Sequence, residues 1–165
     1  MRKFIPGIFI VLYFLISGFD VEPENFEYNP IFMLRSELEK SVRLESPRIL
    51  VNPGKIYLKD DLIFINEKYL GIHVIDNSNP SAPENVAFLH IDGCIDMAMK
   101  DNVLYADNAV DLISLMVKSD LTGIQVTSRI KNVFPELLAP DGRGLSSREQ
   151  AARPENSILV RWKHR

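Results

Sequence analysis

The sequence predicts an all-β chain of two consecutive four-stranded antiparallel meanders, set behind an N-terminal signal helix and a short leader helix. Three observations predict it. Ile56, Leu58, Leu62, Phe64, Ile72 and Val74 keep a period of two across short polar breaks. That spacing packs one face of a sheet and leaves the other to water. A degraded copy of the same pattern returns about 41 residues later, turn residues included. Finally, 46% apolar and 25% charged residues in a 165-residue chain describe a folded domain with a sizeable core.

Residues 1–18, MRKFIPGIFIVLYFLISG, come first. Arg2 and Lys3 form a positive n-region, and residues 5–16 are apolar. The apolar run is shorter than the roughly 20 residues that span a bilayer and matches a secretory h-region. Ser17 and Gly18 are small enough to flank a cleavage site, so this segment is expected to be a signal peptide or an N-terminal anchor. The alternative is a buried N-terminal helix or strand. Pro6, Gly7 and the lack of a polar face weigh against it.

Residues 19–53 are expected to be a linker with one short helix. Residues 20–30 are acidic and broken by Pro23 and Pro30, which suits extended chain. Ser36-Glu37-Leu38-Glu39 fits a capping box with Ser36 as N-cap and Glu39 at N3, opening a helix of about two turns. Pro47 and Pro53-Gly54 close this leader.

The two repeats occupy residues 54–92 and 93–131. In the first, Lys59-Asp60-Asp61 suits a hairpin turn, because Asx side chains bond nearby backbone and tolerate unusual φ. Gly71 relieves backbone strain before the third strand. Pro80 and Pro83 end that strand, having no N–H for a ladder, and residues 85–91, NVAFLHI, form the fourth. Adding 41 maps residues 58–64 onto 99–105 and Gly71-Ile72-His73-Val74 onto Leu112-Ile113-Ser114-Leu115. The Asp76–Pro80 turn maps onto Val117 and Leu121 and loses its signal, while residues 125–131, QVTSRIK, supply the last strand. Four short strands in about 40 residues is the size of one propeller blade. The competing explanation is a chance likeness of two meanders, which the shared turn residues oppose. Residues 132–154 show no periodicity and read as a long loop, and residues 157–162, SILVRW, suit one more strand.

The stretch GIHVIDNSNPSAP (residues 71–83) resembles the "LVIVD" repeat of bacterial β-propeller proteins, in which a strand runs into Asp-x-Ser-x-Pro. Residues 35–162 also resemble the N-terminal part of exported LVIVD lipoproteins of Bacteroidetes type. The likeness rests on Pro53-Gly54-Lys55-Ile56-Tyr57, Asp96-Met97-Ala98, Leu104-Tyr105-Ala106-Asp107, Asn132-Val133-Phe134-Pro135-Glu136 and Arg153-Pro154-Glu155-Asn156. It implies a propeller fold, export, and a longer protein of which this chain resembles the front end. It also implies a lipid anchor, but Phe19 stands after Ile16-Ser17-Gly18 where a lipobox needs cysteine.

Few residues point to chemistry. Asp92, Asp96, Asp101, Asp107 and Asp111 cluster in the second repeat. Calcium needs six to eight converging oxygens, and strand parity scatters these five over both faces. They are therefore read as turn or solvated residues, with Asp96 and Asp107, flanking one hairpin, the candidates for a metal. His73, His90 and His164 are far apart in sequence; His73 and His90 are read as satisfied, half-buried strand residues. Cys94, the one cysteine, is expected to be a small buried residue and excludes a disulfide framework. No nucleophile elbow or phosphate loop is present, no cofactor is implied, and a net charge of −3 carries no footprint for nucleic acid. Arg129, Lys131, Arg143, Arg148, Arg153, Arg161, Lys163 and Arg165 make a basic C-terminal third, read as a solvated face against an anionic glycan or lipid headgroup contact.

The expectation is an exported, non-enzymatic binding or scaffold module, of the LVIVD propeller type that the resemblance implies. It would take a protein or glycan partner, touch membrane only through its N-terminal segment, and self-associate through open blade edges. Two blades fall short of the four to eight that close a propeller, which raises a truncated family member. The alternative is a metal-assisted hydrolase or lyase at the blade tops, using Asp96, Asp107 and His73.

Overall fold

The computed structural model describes residues 26–118 and 121–165. Residues 1–18, expected to be a signal peptide or anchor, Phe19 and the rest of the chain to residue 25 lie outside the described residues. Among those described, no helix is long and apolar enough to cross a membrane.

Among the described residues the fold is all-β, in three antiparallel sheets with no closed barrel. Sheet 1 has the order β2-β6-β5-β4-β3, from β2 (Arg43–Glu45), β3 (Pro53–Lys59), β4 (Leu62–Glu67), β5 (Gly71–Asp76) and β6 (Glu84–His90). Sheet 2 has the order β10-β9-β8-β7, from β7 (Met97–Lys100), β8 (Val103–Asn108), β9 (Asp111–Val117) and β10 (Ile124–Ile130). All eight strands expected within the two repeats are present. Their first hairpins pair identically, Lys59 with Leu62 and Lys100 with Val103. Both two-residue turns begin in the left-handed region, Asp60 at φ 52° and Asp101 at φ 54°, a conformation that Asp tolerates better than most residues.

The equivalence shortens by one residue at the next turn. Glu67 pairs with Gly71 across three residues, and Asn108 with Asp111 across two, Ala109 and Val110. Gly71 therefore corresponds to Asp111, and beyond this turn the offset is 40, not 41. Gly71 itself has φ 145°, and a Cβ there would lie 2.0 Å from the Leu89 carbonyl oxygen.

Sheets 1 and 2 stack. Phe64, Ile72, Val74, Ala87 and Leu89 of the first meet Met97, Leu104, Ala106, Ile113 and Leu115 of the second in one buried cluster. Each large side chain removed from water there is worth roughly 1.5–3 kcal/mol. The facing surfaces are not equivalent. Phe64 corresponds to Tyr105, on the outer side of sheet 2, and Leu104 corresponds to Ile63, on the outer side of sheet 1. The sheets are thus laid front to back.

Three expectations for the flanks are corrected. The leader is not all linker and helix, because β1 (Tyr28–Leu34) pairs with β11 (Ser157–His164) as sheet 3 and β2 extends sheet 1. Pro30 stands in β1, an edge strand of a two-stranded sheet, where a missing N–H is tolerated. The leader helix α1 is a single turn, Arg35–Leu38; its N-cap is Leu34, with no side-chain cap, and Ser36 lies inside it. The chain leaves β1 directly into this turn, so Ser36 never takes the extended φ and ψ that a cap requires. The long loop holds a second helix, α2 (Ser147–Ala151), opened by a full capping box of Ser146 and Glu149. Leu38, Ala109 and Val160 tie sheet 3 to the β8–β9 turn.

Candidate functional site

A cleft of about 430 Å³ opens on the outer side of sheet 2, between the β7–β8 hairpin and residues 134–138. Met97, Ala98, Tyr105 and Leu112 line one wall, Phe134 and Leu137 the other. The wall from residues 134–138 is held by the chain's third sheet: Trp162 donates its indole N–H to the Leu137 carbonyl at 3.0 Å, and Leu137 packs with Leu159 and Trp162. Val133 and Phe134 N–H groups bond the Val110 carbonyl at 2.8 and 3.0 Å, tying the segment to the β8–β9 turn.

Asp96 and Asp107 meet at this cleft, as members of its lining. Neither carboxylate is free. Asp107 Oδ1 accepts the Ile95 and Asp96 N–H groups at 2.8 and 2.9 Å. Burial raises its pKa above the usual aspartate value, against the opposing pull of those two donors and of Cys94. Asp96 Oδ1 takes Lys55 Nζ at 2.7 Å and the Met97 N–H at 2.6 Å. The Lys55 bond leads in lowering its pKa, against partial burial. Glu136, the third acid of the lining, pairs with Arg153 at 2.6 Å. The larger part of the cleft surface is aliphatic and aromatic, with the paired Asp96 and Glu136 carboxylates still exposed at its edge.

The other candidates lie elsewhere. His73 is fully buried, not half-buried; it is absent from the cleft that holds Asp96 and Asp107. Its Nε2 lies 3.2 Å from Glu67 Oε2, and its Nδ1 3.4 Å from Asn85 Nδ2. Glu67 also accepts the Val51 and Asn52 N–H groups at 3.0 and 2.6 Å, so the pair anchors residues 51–52 to sheet 1. His90 bonds Asp92 at 2.9 Å and is partly buried, and His164 meets Glu27 at 3.0 Å. Cys94 is buried, as expected, and burial beside Asp107 pushes its thiol pKa well up. Asp101 serves a turn.

Asp111, expected as a turn or solvated residue, is instead a buried centre. Its fully buried carboxylate accepts Arg35 Nη1 at 2.6 Å, Arg129 Nη1 at 2.7 Å and the Asn132 N–H at 3.0 Å. Burial works to raise its pKa, and the Arg35 bond followed by the others outweighs it, for a net lowering. Arg129 is thereby removed from the basic run, as are Lys131 by Glu39, Arg143 by Glu149 and Arg153 by Glu136. Among the described residues, no group of three or more His, Cys, Asp or Glu side chains converges as a metal site would require.

The chain matches no family model, and no curated protein or solved structure is significantly similar to it.

Proposed function

We propose that the chain is an exported, non-enzymatic binding or scaffold module built on two propeller-type blades, and that its binding surface is the apolar cleft on sheet 2. The observation that carries this reading is the state of the acids there. Asp96, Asp107 and Glu136 are each spent on a structural bond. Mostly apolar walls whose acids are already paired suit a hydrophobic surface more than a glycan, whose hydroxyls need open polar partners. The blade reading draws on two four-stranded meanders stacked front to back, and on the LVIVD-like turn, in which Asp76 Oδ1 accepts the Ser78 N–H at 2.8 Å. Export draws on residues 1–18.

Two measurements test it. Ala98→Trp fills the cleft from an exposed position. An anilinonaphthalene sulfonate probe should lose emission on the variant relative to the wild type, and equal emission at equal stability overturns the cleft as the binding surface. Intact mass of the protein recovered from its native cell should show the loss of residues 1–18; a full-length cytoplasmic product overturns export.

A further inference from the structure

We propose that this chain binds a second copy of itself head to tail, the outer face of sheet 1 of one copy seating on the outer face of sheet 2 of the next. The proposal rests on the cleft being a binding surface and names its partner.

The argument begins with an exposed apolar face. Ile56 and Leu58 point the same way from edge strand β3, and each is 64% exposed. Strand pairing sets Ile65 beside Ile56 and Ile63 beside Leu58, with Ile75 beyond. Residues 48–52 run over the neighbouring half of this face, pinned where Arg48 covers Phe88 and where Glu67 holds Val51 and Asn52. They leave Ile49 and Val51 at 84% and 79% exposure. Such an apolar face on a half-wet sheet marks an interaction surface.

The internal repeat says what covers it. At an offset of 41, Ile56, Leu58, Ile63 and Ile65 correspond to Met97, Met99, Leu104 and Ala106; at the offset of 40, Ile75 corresponds to Leu115. All five counterparts pack into the core, against the inner face of sheet 1. That inner face, Tyr57, Leu62, Phe64 and Ile72, corresponds in turn to Ala98, Val103, Tyr105 and Leu112, the outer face of sheet 2. Each half of the buried interface therefore has a relative at the opposite end of the stack that is exposed or only partly covered. Applying the same sheet-to-sheet step once more joins one copy's sheet 1 to another copy's sheet 2. Exposed Met116 and Ile130 extend the receiving surface. The contact uses two different patches, so it is heterologous: it closes into a ring or runs on as an open polymer. With two blades per chain, closure at four to eight blades takes roughly two to four copies.

The experiment is sedimentation equilibrium of the full chain over a wide range of concentration. The wild type should exceed the single-chain mass of 18.8 kDa. Ile56→Glu with Leu58→Glu blocks one patch, and Met116→Glu with Ile130→Glu blocks the other, all at positions more than half exposed. Each double variant alone should fall to one chain. Their mixture should form a two-chain complex and nothing larger, since one free patch of each kind remains. Residues 1–18 are present in every sample, so the decisive reading is the drop in mass from the wild type to each double variant at the same concentration. A single-chain wild type, an unchanged mass in either double variant, or a mixture that stays at one chain would overturn the proposal. Should a glutamate pair prevent folding, lysines at the same sites replace it and face the same criteria. Dye binding at the cleft with a wild type of one chain refutes the self-docking alone and leaves the binding module standing.

Discussion

The two stacked sheets share a hairpin and differ in what their outer faces must bear. Position for position, Phe64 in sheet 1 is 3% exposed inside the core, while its counterpart Tyr105 is only partly covered and borders the cleft. Sequence similarity between repeats thus marks equivalent places in the chain, not equivalent environments. In a front-to-back stack, the environment is set by which neighbour is present. The sharpest contrast lies at the turn into the third strand. Sheet 1 holds Gly71 there, pressed against the Leu89 carbonyl; sheet 2 holds Asp111, which gathers two arginines.

That contrast sets the largest expected effect. Gly71→Val demands a Cβ 2.0 Å from a backbone oxygen, at φ 145°. Backbone cannot yield as a flexible side chain does. The variant should lack the cooperative urea transition that the wild type shows by circular dichroism, and a transition near the wild-type midpoint would mean that β5 and β6 can separate at little cost.

Next comes the pair Phe64→Ala and Tyr105→Ala. The first opens a cavity between the sheets and should cost about 3–5 kcal/mol. The second removes a half-covered ring at the cleft and should cost about 1 kcal/mol. Urea melts of both variants give the difference directly. Equal losses would mean that the outer face of sheet 2 is as well covered as the core, which is the result expected at concentrations where copies are docked and not below them.

Two aspartates of sheet 2, Asp111 buried and Asp107 partly buried, provide a smaller and signed test. Asp111 is held below its ordinary pKa by the Arg35 and Arg129 bonds that outweigh its burial. Its contribution is full above the unfolded aspartate pKa of about 3.9 and is lost as pH falls through the lower, folded value. Asp107 is shifted upward by burial, so its ionisation costs stability as pH rises from about 3.9 through its folded value. Asp111→Asn should therefore cost about 2–4 kcal/mol at neutral pH by orphaning partly buried arginines, with the gap to wild type closing in acid. Asp107→Asn keeps an oxygen for the Ile95 and Asp96 donors and should be close to neutral at pH 7. Urea midpoints across pH 3–7 compare the two; parallel curves would contradict the opposite directions of shift.

The sequence disclosed the elements whose signal is local. Period-two runs and Asx turns gave both meanders, because alternation and left-handed φ are properties of a few adjacent residues. It was silent on β1, which pairs with a partner more than 120 residues away, as Tyr28 does with His164, and on β2, which at three residues is too short to show an alternation. The cleft was half legible. Asp96 and Asp107 could be picked out as hairpin flanks, yet Phe134 and Leu137 sit beside Pro135 in a segment without period. They are folded over the sheet by bonds to distant residues, Trp162 to the Leu137 carbonyl and Phe134 to the Val110 carbonyl. The one-residue slip at the turn after Asn108 was invisible for a different reason: β9 is apolar at nearly every position, Leu112, Ile113, Leu115, Met116 and Val117, so either offset fits.

The smallest effect compares two identical-looking signals, Ser36-x-x-Glu39 and Ser146-x-x-Glu149. In the second, Glu149 N–H reaches Ser146 Oγ at 3.2 Å and Ser146 N–H reaches Glu149 Oε2 at 2.9 Å, closing the box. Glu149 also grips Arg143, whose guanidinium donates to the Tyr28 carbonyl at 2.6 Å and lies 4.7 Å over the Trp162 ring. In the first, Ser36 is one residue inside the helix and Glu39 is drawn to Lys131 at 2.6 Å. Ser146→Ala should therefore cost about 1 kcal/mol, felt by sheet 3 through Arg143, and Ser36→Ala should be silent or slightly stabilising, since Ala is the better helix former. Amide exchange read at Asn29 and Trp162 separates local loosening of sheet 3 from a global change. Equal losses from both substitutions would show that the motif counts wherever it falls, and that the extended backbone at Ser146 adds nothing to it.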